Sequence, residues 1–211
     1  MRRLPVYLLL DTSGSMTGEP IEAVRNGVQV LVSTLRQDPY ALETAYLSVI
    51  TFDSSAKQVV PLSELTAFQM PIIQATGTTA LGAALSLLAT QLDKEVQKST
   101  AEVKGDWKPL VFLMTDGMPT DDWKKGLAEL QKRKTGLLVA CAAGRSIDTT
   151  VLKQITEIVV QLDTADSSTI KAFFKWVSAS ISMGSQKVET NKEVGGLSEL
   201  PPPPPEINVV V

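Results

Sequence analysis

The sequence predicts an α/β fold: a mainly parallel sheet covered by helices on both faces, with one antiparallel edge strand. Three observations lead there. Strand-like and helix-like segments alternate along the first half of the chain, the pattern produced by strands joined through crossover helices. Two strand candidates, Val6-Tyr7-Leu8-Leu9-Leu10 and Leu110-Val111-Phe112-Leu113-Met114, are apolar without interruption, as strands covered on both faces must be. At 211 residues the chain is long enough to bury a real core within one domain.

Pro5 to Leu10 is the first strand. Gly18-Glu19-Pro20 opens a helix in which Ile21, Val24, Val28, Leu31 and Leu35 recur at intervals of three and four, and Asp38-Pro39 ends it. Ala45 to Phe52 and Lys57 to Leu62 are strands joined by Asp53-Ser54-Ser55-Ala56, short enough for a hairpin, so the second is the antiparallel edge. Gly77-Thr78-Thr79 precedes a long helix with a stripe of Leu81, Leu85, Leu88, Leu92 and Val96, and places Thr78 or Thr79 at its N-cap. Leu110 to Met114 is a central strand ended by Thr115-Asp116-Gly117-Met118-Pro119. A helix from Asp121 to Lys132, a strand from Gly136 to Ala142, a short helix from Asp148 and a strand from Ile158 to Leu162 follow. Ser167-Ser168 then caps a final helix with Ile170, Phe173, Phe174, Val177 and Ile181 on one face.

Residues 1–184 are therefore read as the domain and 185–211 as a Gly/Pro-rich tail. Pro201 to Pro205 reads as a tether or as a polyproline ligand for an aromatic groove, and Ile207 to Val211 could add to a sheet edge.

Composition removes whole classes of function. The formal charge is −3, with no basic excess, which speaks against nucleic-acid binding. There is no histidine, and with it go a Ser/His/Asp triad, a Cys/His dyad and histidine-ligated zinc. The single cysteine, Cys141, lies in an apolar segment and reads as a core residue. The N-terminal run after Arg2 and Arg3 is short, contains Pro5 and leads into Asp11 without a cleavage site, so no export signal is read there. No apolar stretch approaches the roughly 20 residues that cross a bilayer, and the expected compartment is the cytoplasm.

The candidate chemistry lies at strand ends. Asp11-Thr12-Ser13-Gly14-Ser15 follows the first strand directly, Asp116 follows a second central strand, and Thr79 stands after a Gly-containing turn. Open α/β sheets bind ligands outside the carboxyl ends of their strands, where the strand order reverses. If the two strands are neighbours, Asp11, Ser13, Ser15, Thr79 and Asp116 offer five oxygen donors to one crevice. Such a set suits Mg²⁺, with Mn²⁺ the other candidate, and leaves the ion electrophilic enough to take a carboxylate from outside. Each piece alone has a simpler reading: Asp-x-Ser and Thr-Asp-Gly also close turns, and Thr79 also caps a helix.

Asp11-Thr12-Ser13-Gly14-Ser15, Gly77-Thr78-Thr79-Ala80-Leu81 and Met114-Thr115-Asp116-Gly117 resemble, in order and spacing, the metal-ion-dependent adhesion site (MIDAS) of von Willebrand factor type A (vWA) domains. The resemblance covers roughly Leu4 to Gly184. The segments Met1 to Leu8, Arg36 to Glu43, Gly105 to Trp107 and Phe173 to Ser180 are similar, more narrowly, to the TerY-type vWA proteins of bacterial tellurite-resistance and stress-response operons. The resemblance implies a doubly wound sheet of about six strands, with Asp11, Ser13, Ser15, Thr79 and Asp116 as ligands of Mg²⁺ or Mn²⁺ and a partner protein supplying an Asp or Glu. It also implies kinase-like or phosphatase-like proteins as associates. The family pattern more often has Gly where Thr78 stands. The competing class, a Mg²⁺-dependent phosphatase of the haloacid dehalogenase type, needs a second Asp two positions after the first, and this chain has Ser13 there.

Overall fold

The computed structural model describes residues 2–145, 147–190, 192 and 196–210. Seven strands, β1 (Leu4–Asp11), β2 (Ala45–Phe52), β3 (Ala56–Glu64), β4 (Leu110–Thr115), β5 (Leu137–Ala143), β6 (Ile158–Leu162) and β7 (Ile207–Val210), form one sheet. Their order is β3-β2-β1-β4-β5-β6-β7. All neighbouring pairs are parallel except β2 with β3 and β6 with β7, so both edges are antiparallel. The helices are α1 (Glu19–Gln37), α2 (Pro39–Thr44), α3 (Leu81–Glu95), α4 (Trp123–Leu130), α5 (Thr150–Ile155) and α6 (Ser167–Glu189).

Strand alternation divides the core into two halves. In β1, Leu4, Val6, Leu8 and Leu10 belong to the apolar layer under α1, α2 and α6, while Tyr7 and Leu9 belong to the layer under α3, α4 and α5. Every residue of β1 is buried, which is why its sequence shows no polar alternation. The doubly wound sheet is thus the expected one, with the tail supplying the strand beyond six. At the other edge Pro61 sits in β3 near a register shift opposite Leu47 and Val49, where a missing N–H costs least. Ser48 answers there by donating its hydroxyl to the Val60 carbonyl at 2.9 Å.

Three local expectations change. Helix α2, absent from the sequence reading, is a single turn or so, capped by Asp38, whose carboxylate accepts from the N–H groups of Tyr40 and Ala41. The N-cap of α3 is Ala80, not Thr78 or Thr79, and no side chain of its own caps it. The Asp121 carboxylate, from the loop before α4, takes the N–H groups of Gly82 and Ala83 instead, each at 2.8 Å. That approach depends on two glycines, since a Cβ on Gly82 would lie 2.6 Å from the Asp122 carbonyl oxygen and one on Gly126 would lie 2.2 Å from that of Gly82. At α6 the cap is Asp166, one residue before the serines, accepting from Ser168 and Thr169 N–H.

The tail packs back on the domain. The Trp176 indole N–H donates to the Pro201 carbonyl at 2.8 Å, Lys187 pairs with Glu199 at 3.2 Å, and Ile207 to Val210 pair with Leu162 to Val159. Among the described residues no helix is long and apolar enough to cross a membrane.

Candidate metal centre

The strand order reverses between β1 and β4: the chain leaves β1 for β2 on one side and β4 lies on the other. Loops leaving the carboxyl ends of these two strands therefore diverge, opening a crevice at that point. Asp11 is the last residue of β1 and Asp116 follows the last residue of β4. The three candidate loops are laced together by backbone bonds. Gly14 N–H donates to the Gly77 carbonyl at 3.0 Å, Thr76 N–H to Thr12 at 2.8 Å and Thr120 N–H to Thr79 at 2.9 Å, while Ala80 N–H donates to Asp53 in the β2–β3 turn at 2.7 Å. Gly77 has φ of 69°, and a Cβ there would meet the Ser54 hydroxyl at 2.3 Å, so only glycine fits.

Within that frame the predicted oxygens converge. Asp11 is wholly buried; its Oδ1 accepts from Ser13 N–H at 2.8 Å and its Oδ2 from the Thr115 hydroxyl at 2.5 Å. The Ser13 and Ser15 hydroxyls lie 3.0 Å apart, and Ser15 donates to Asp116 Oδ1 at 2.7 Å. Thr79 reaches the same turn from the α3 side: its hydroxyl would lie 3.5 Å from a Cβ on Gly117. Its backbone is tied to the β4–α4 loop by the exchange of two bonds with Thr120, from Thr79 N–H to the Thr120 hydroxyl and from Thr120 N–H to the Thr79 carbonyl.

The electrostatics are those of two carboxylates held together. Burial pushes the Asp11 carboxyl above the ordinary aspartate range, against the opposing hydrogen bonds from Ser13 and Thr115. Burial likewise raises Asp116, Ser15 opposes it, and the charge of Asp11 raises it further. A cation among these oxygens would remove both penalties together. The donors present, two carboxylates and three hydroxyls without nitrogen or sulfur, fit a hard divalent ion. Among the described residues no group of three or more His, Cys, Asp or Glu could hold a metal, so hydroxyls have to complete any shell here.

Sequence reasoning missed the supports. Thr115 orients Asp11, Ser54 bonds Thr78 through its backbone N–H and hydroxyl, and Asp121 fixes the first turn of α3 beside Thr79. The only sequence signal for Ser54 was its place just after a strand parallel to β1.

An open α/β sheet with an oxygen-lined crevice at its switch point defines a domain of the doubly wound class. The chain belongs to the von Willebrand factor type A domain family, whose model matches residues 6–175. It is 35% identical over 123 residues to an uncharacterised protein of Synechocystis, a match covering 55% of this chain and 26% of that protein. It thus spans about a quarter of that relative's length. Solved structures share the fold at low identity. A von Willebrand factor type A protein from Catenulispora acidiphila has a TM-score of 0.64 at 18% identity, covering 87% of this chain and 43% of that one. The pilus adhesin SpaC of Lactobacillus rhamnosus GG has a TM-score of 0.66 at 17% identity, covering 87% and 31%. Proximal thread matrix protein 1 of the mussel byssus, solved with a zinc-occupied MIDAS motif, has a TM-score of 0.60 at 20% identity, covering 84% and 48%.

Proposed function

We propose that this chain is a metal-dependent protein-interaction module in which Asp11, Ser13, Ser15, Thr79 and Asp116 hold Mg²⁺ or Mn²⁺ and a partner's Asp or Glu completes the shell. The observation that carries this reading is the run of hydroxyl contacts from Ser13 through Ser15 to Asp116, beside the buried Asp11. A bound ion would supply a concentrated positive charge for that carboxylate. The protein's part is to hold the two carboxyls and the hydroxyls beside one another and the two loops in register. The zinc-occupied motif of the mussel protein supports a divalent ion at this place in the fold.

The role is binding rather than catalysis. No histidine is available as a base, Cys141 is buried with its thiol pushed far up by burial, and Ser13 stands where a phosphatase of the competing class needs an acid. The finer setting, a TerY-type protein of a bacterial tellurite-resistance or stress-response system acting in the cytoplasm with kinase-like or phosphatase-like partners, rests on the sequence resemblance.

Thermal melting with Mg²⁺ and with Mn²⁺ tests the site. At about a hundred times Kd the ion stabilises by about 2.7 kcal/mol, a rise of roughly 5–10 °C for a domain of this size. Asp11→Ala abolishes the rise. Equal shifts in variant and wild type under saturating metal overturn the site, and turnover of generic phosphoesters that disappears in Asp11→Asn overturns the non-catalytic role. Pull-down from native lysate with and without metal then names the partner.

A further inference from the structure

A basic pocket lies at the opposite end of the sheet. A pocket of about 330 Å³ is lined by Lys98, Lys132, Arg133 and Lys134, against a single carboxylate, Asp93. Its floor is apolar, made of Leu92, Val96 and Pro109. Pro109 precedes β4, the strand after which Asp116 stands, so the pocket lies about 20 Å from the metal centre, taking roughly 3.3 Å per strand residue.

Helix polarity accounts for only part of this charge. The pocket adjoins the carboxyl-terminal ends of α3 and α4, where cations complement exposed carbonyls. Arg133 does that work: it donates to the Glu129 carbonyl and pairs with Asp93 at 2.6 Å. Lys132 and Lys134 enter no ion pair among the described residues, and Lys98, Lys132 and Lys134 are exposed. In a chain of formal charge −3 this local excess is out of keeping with the rest of the surface.

We infer that this pocket docks an acidic segment of a partner protein, with apolar side chains on the Leu92, Val96 and Pro109 floor and carboxylates against the three lysines. Charge complementarity selects the occupant. An acidic segment is attracted here and repelled by the net negative remainder, which fixes where and how it lands. The apolar floor favours a peptide over nucleic acid, since no aromatic ring lines the pocket for base stacking. A concave pocket also suits a side chain better than a lipid surface does. The surface works without metal, so a partner can be held at both ends of the sheet.

The test uses the full chain in EDTA and a short fluorescein-labelled peptide of Glu and Asp residues interrupted by two leucines, read by fluorescence anisotropy. Lys98→Glu/Lys132→Glu/Lys134→Glu weakens binding at least about tenfold, and added salt weakens binding to the wild type. Lys171→Glu/Lys175→Glu, on α6, leaves it within about twofold, as expected where the charge contact is absent. Replacing the leucines by serine weakens it about fivefold through lost apolar burial. Unchanged affinity in the triple variant, equal binding of the serine peptide, or tighter binding to a single-stranded oligonucleotide or to phosphatidylserine vesicles overturns the inference.

Discussion

Ser15 donates its hydroxyl to Asp116 Oδ1 at 2.7 Å, joining residues 101 apart in sequence. The bond aims the second carboxylate at the crevice where the first already sits. Ser15→Ala removes both a donor oxygen and the bond that orients Asp116, so Mn²⁺ affinity falls about 10- to 100-fold, the usual effect of losing an orienting partner. Ser15 is exposed, and without metal the melting temperature changes by no more than about 0.5 kcal/mol implies. Calorimetric titration with Mn²⁺ checks the first outcome and a melt in EDTA the second. Undiminished affinity would place the ion elsewhere.

The burial of Asp11 and Asp116 makes the metal-free protein pH-dependent in a defined direction. Both carboxyls have folded pKa values raised above those of the unfolded chain. The favourable contribution of their protonation is therefore complete below the unfolded value, near 3.9 for Asp, and is lost as pH rises through the folded values. Asp11→Asn removes that loss while keeping an acceptor for Ser13 N–H, so at neutral pH in EDTA the variant melts at or above the wild type. It also loses the metal-induced rise. In the wild type that rise shrinks as pH falls, because protons compete with the ion. A variant less stable than wild type in EDTA at neutral pH would contradict the assignment of a burial penalty.

Asp121 caps a helix it does not belong to, bonding Gly82 and Ala83 N–H across 39 and 38 residues. Asp121→Ala orphans both donors and costs about 0.5–2 kcal/mol, as a lost N-cap does. For a domain of this length that is a drop of roughly 1–8 °C. Because Thr120 holds the Thr79 backbone, the metal-induced rise shrinks as well. Asp121→Asn, which keeps one acceptor, falls between the two. An unchanged metal response would show that Thr79 is positioned without this loop.

What could be read from the sequence followed from burial. Strands β1 and β4 are covered on both faces, so their composition alone marked them, and the aspartates were visible as the first acidic residues after an apolar run, Asp11 directly and Asp116 after Thr115. Helix α2 was not legible because six residues, Pro39 to Thr44, are too few for a period to show. The supports of the site were invisible for a different reason. Thr115 and Asp121 act on partners 104 and 38 to 39 residues away, and nothing local distinguishes them from turn residues. The cap of α3 was misplaced on the threonines by the same limit, since local rules look for a cap only in the adjoining residues.

Gly27 is where α1 meets α6. A Cβ there would lie 2.1 Å from Phe174 Cδ2, inside a layer where Phe174 is only 1% exposed and packs edge-on against Phe173 with centroids 5.7 Å apart. Gly27→Ala gains helix propensity but forces that ring to move, and overpacking of this kind costs about 1–3 kcal/mol. The expected drop in melting temperature is roughly 2–10 °C. The double variant Gly27→Ala/Phe174→Leu recovers part of it, whereas simple additivity of the two losses would remove the steric explanation.

Strand β7 covers β6 and takes its place as the edge of the sheet. Strand β7 pairs antiparallel with β6 from Leu162↔Ile207 to Val159↔Val210, and Ile207 is only 4% exposed. Deleting residues 207–211 therefore removes one buried isoleucine, worth about 1.5–3 kcal/mol, together with a ladder of hydrogen bonds. The melting temperature falls by at least roughly 3–10 °C. The edge then passes from β7, with two exposed residues, to the largely buried and apolar β6, whose bared backbone pairs with other molecules, so size-exclusion chromatography shows self-association that grows with concentration. Ile207→Asp, which keeps the strand length but buries a charge, destabilises without removing the backbone groups of β7. If the deleted protein stays monomeric and melts with the wild type, β7 contributes nothing to the fold in solution.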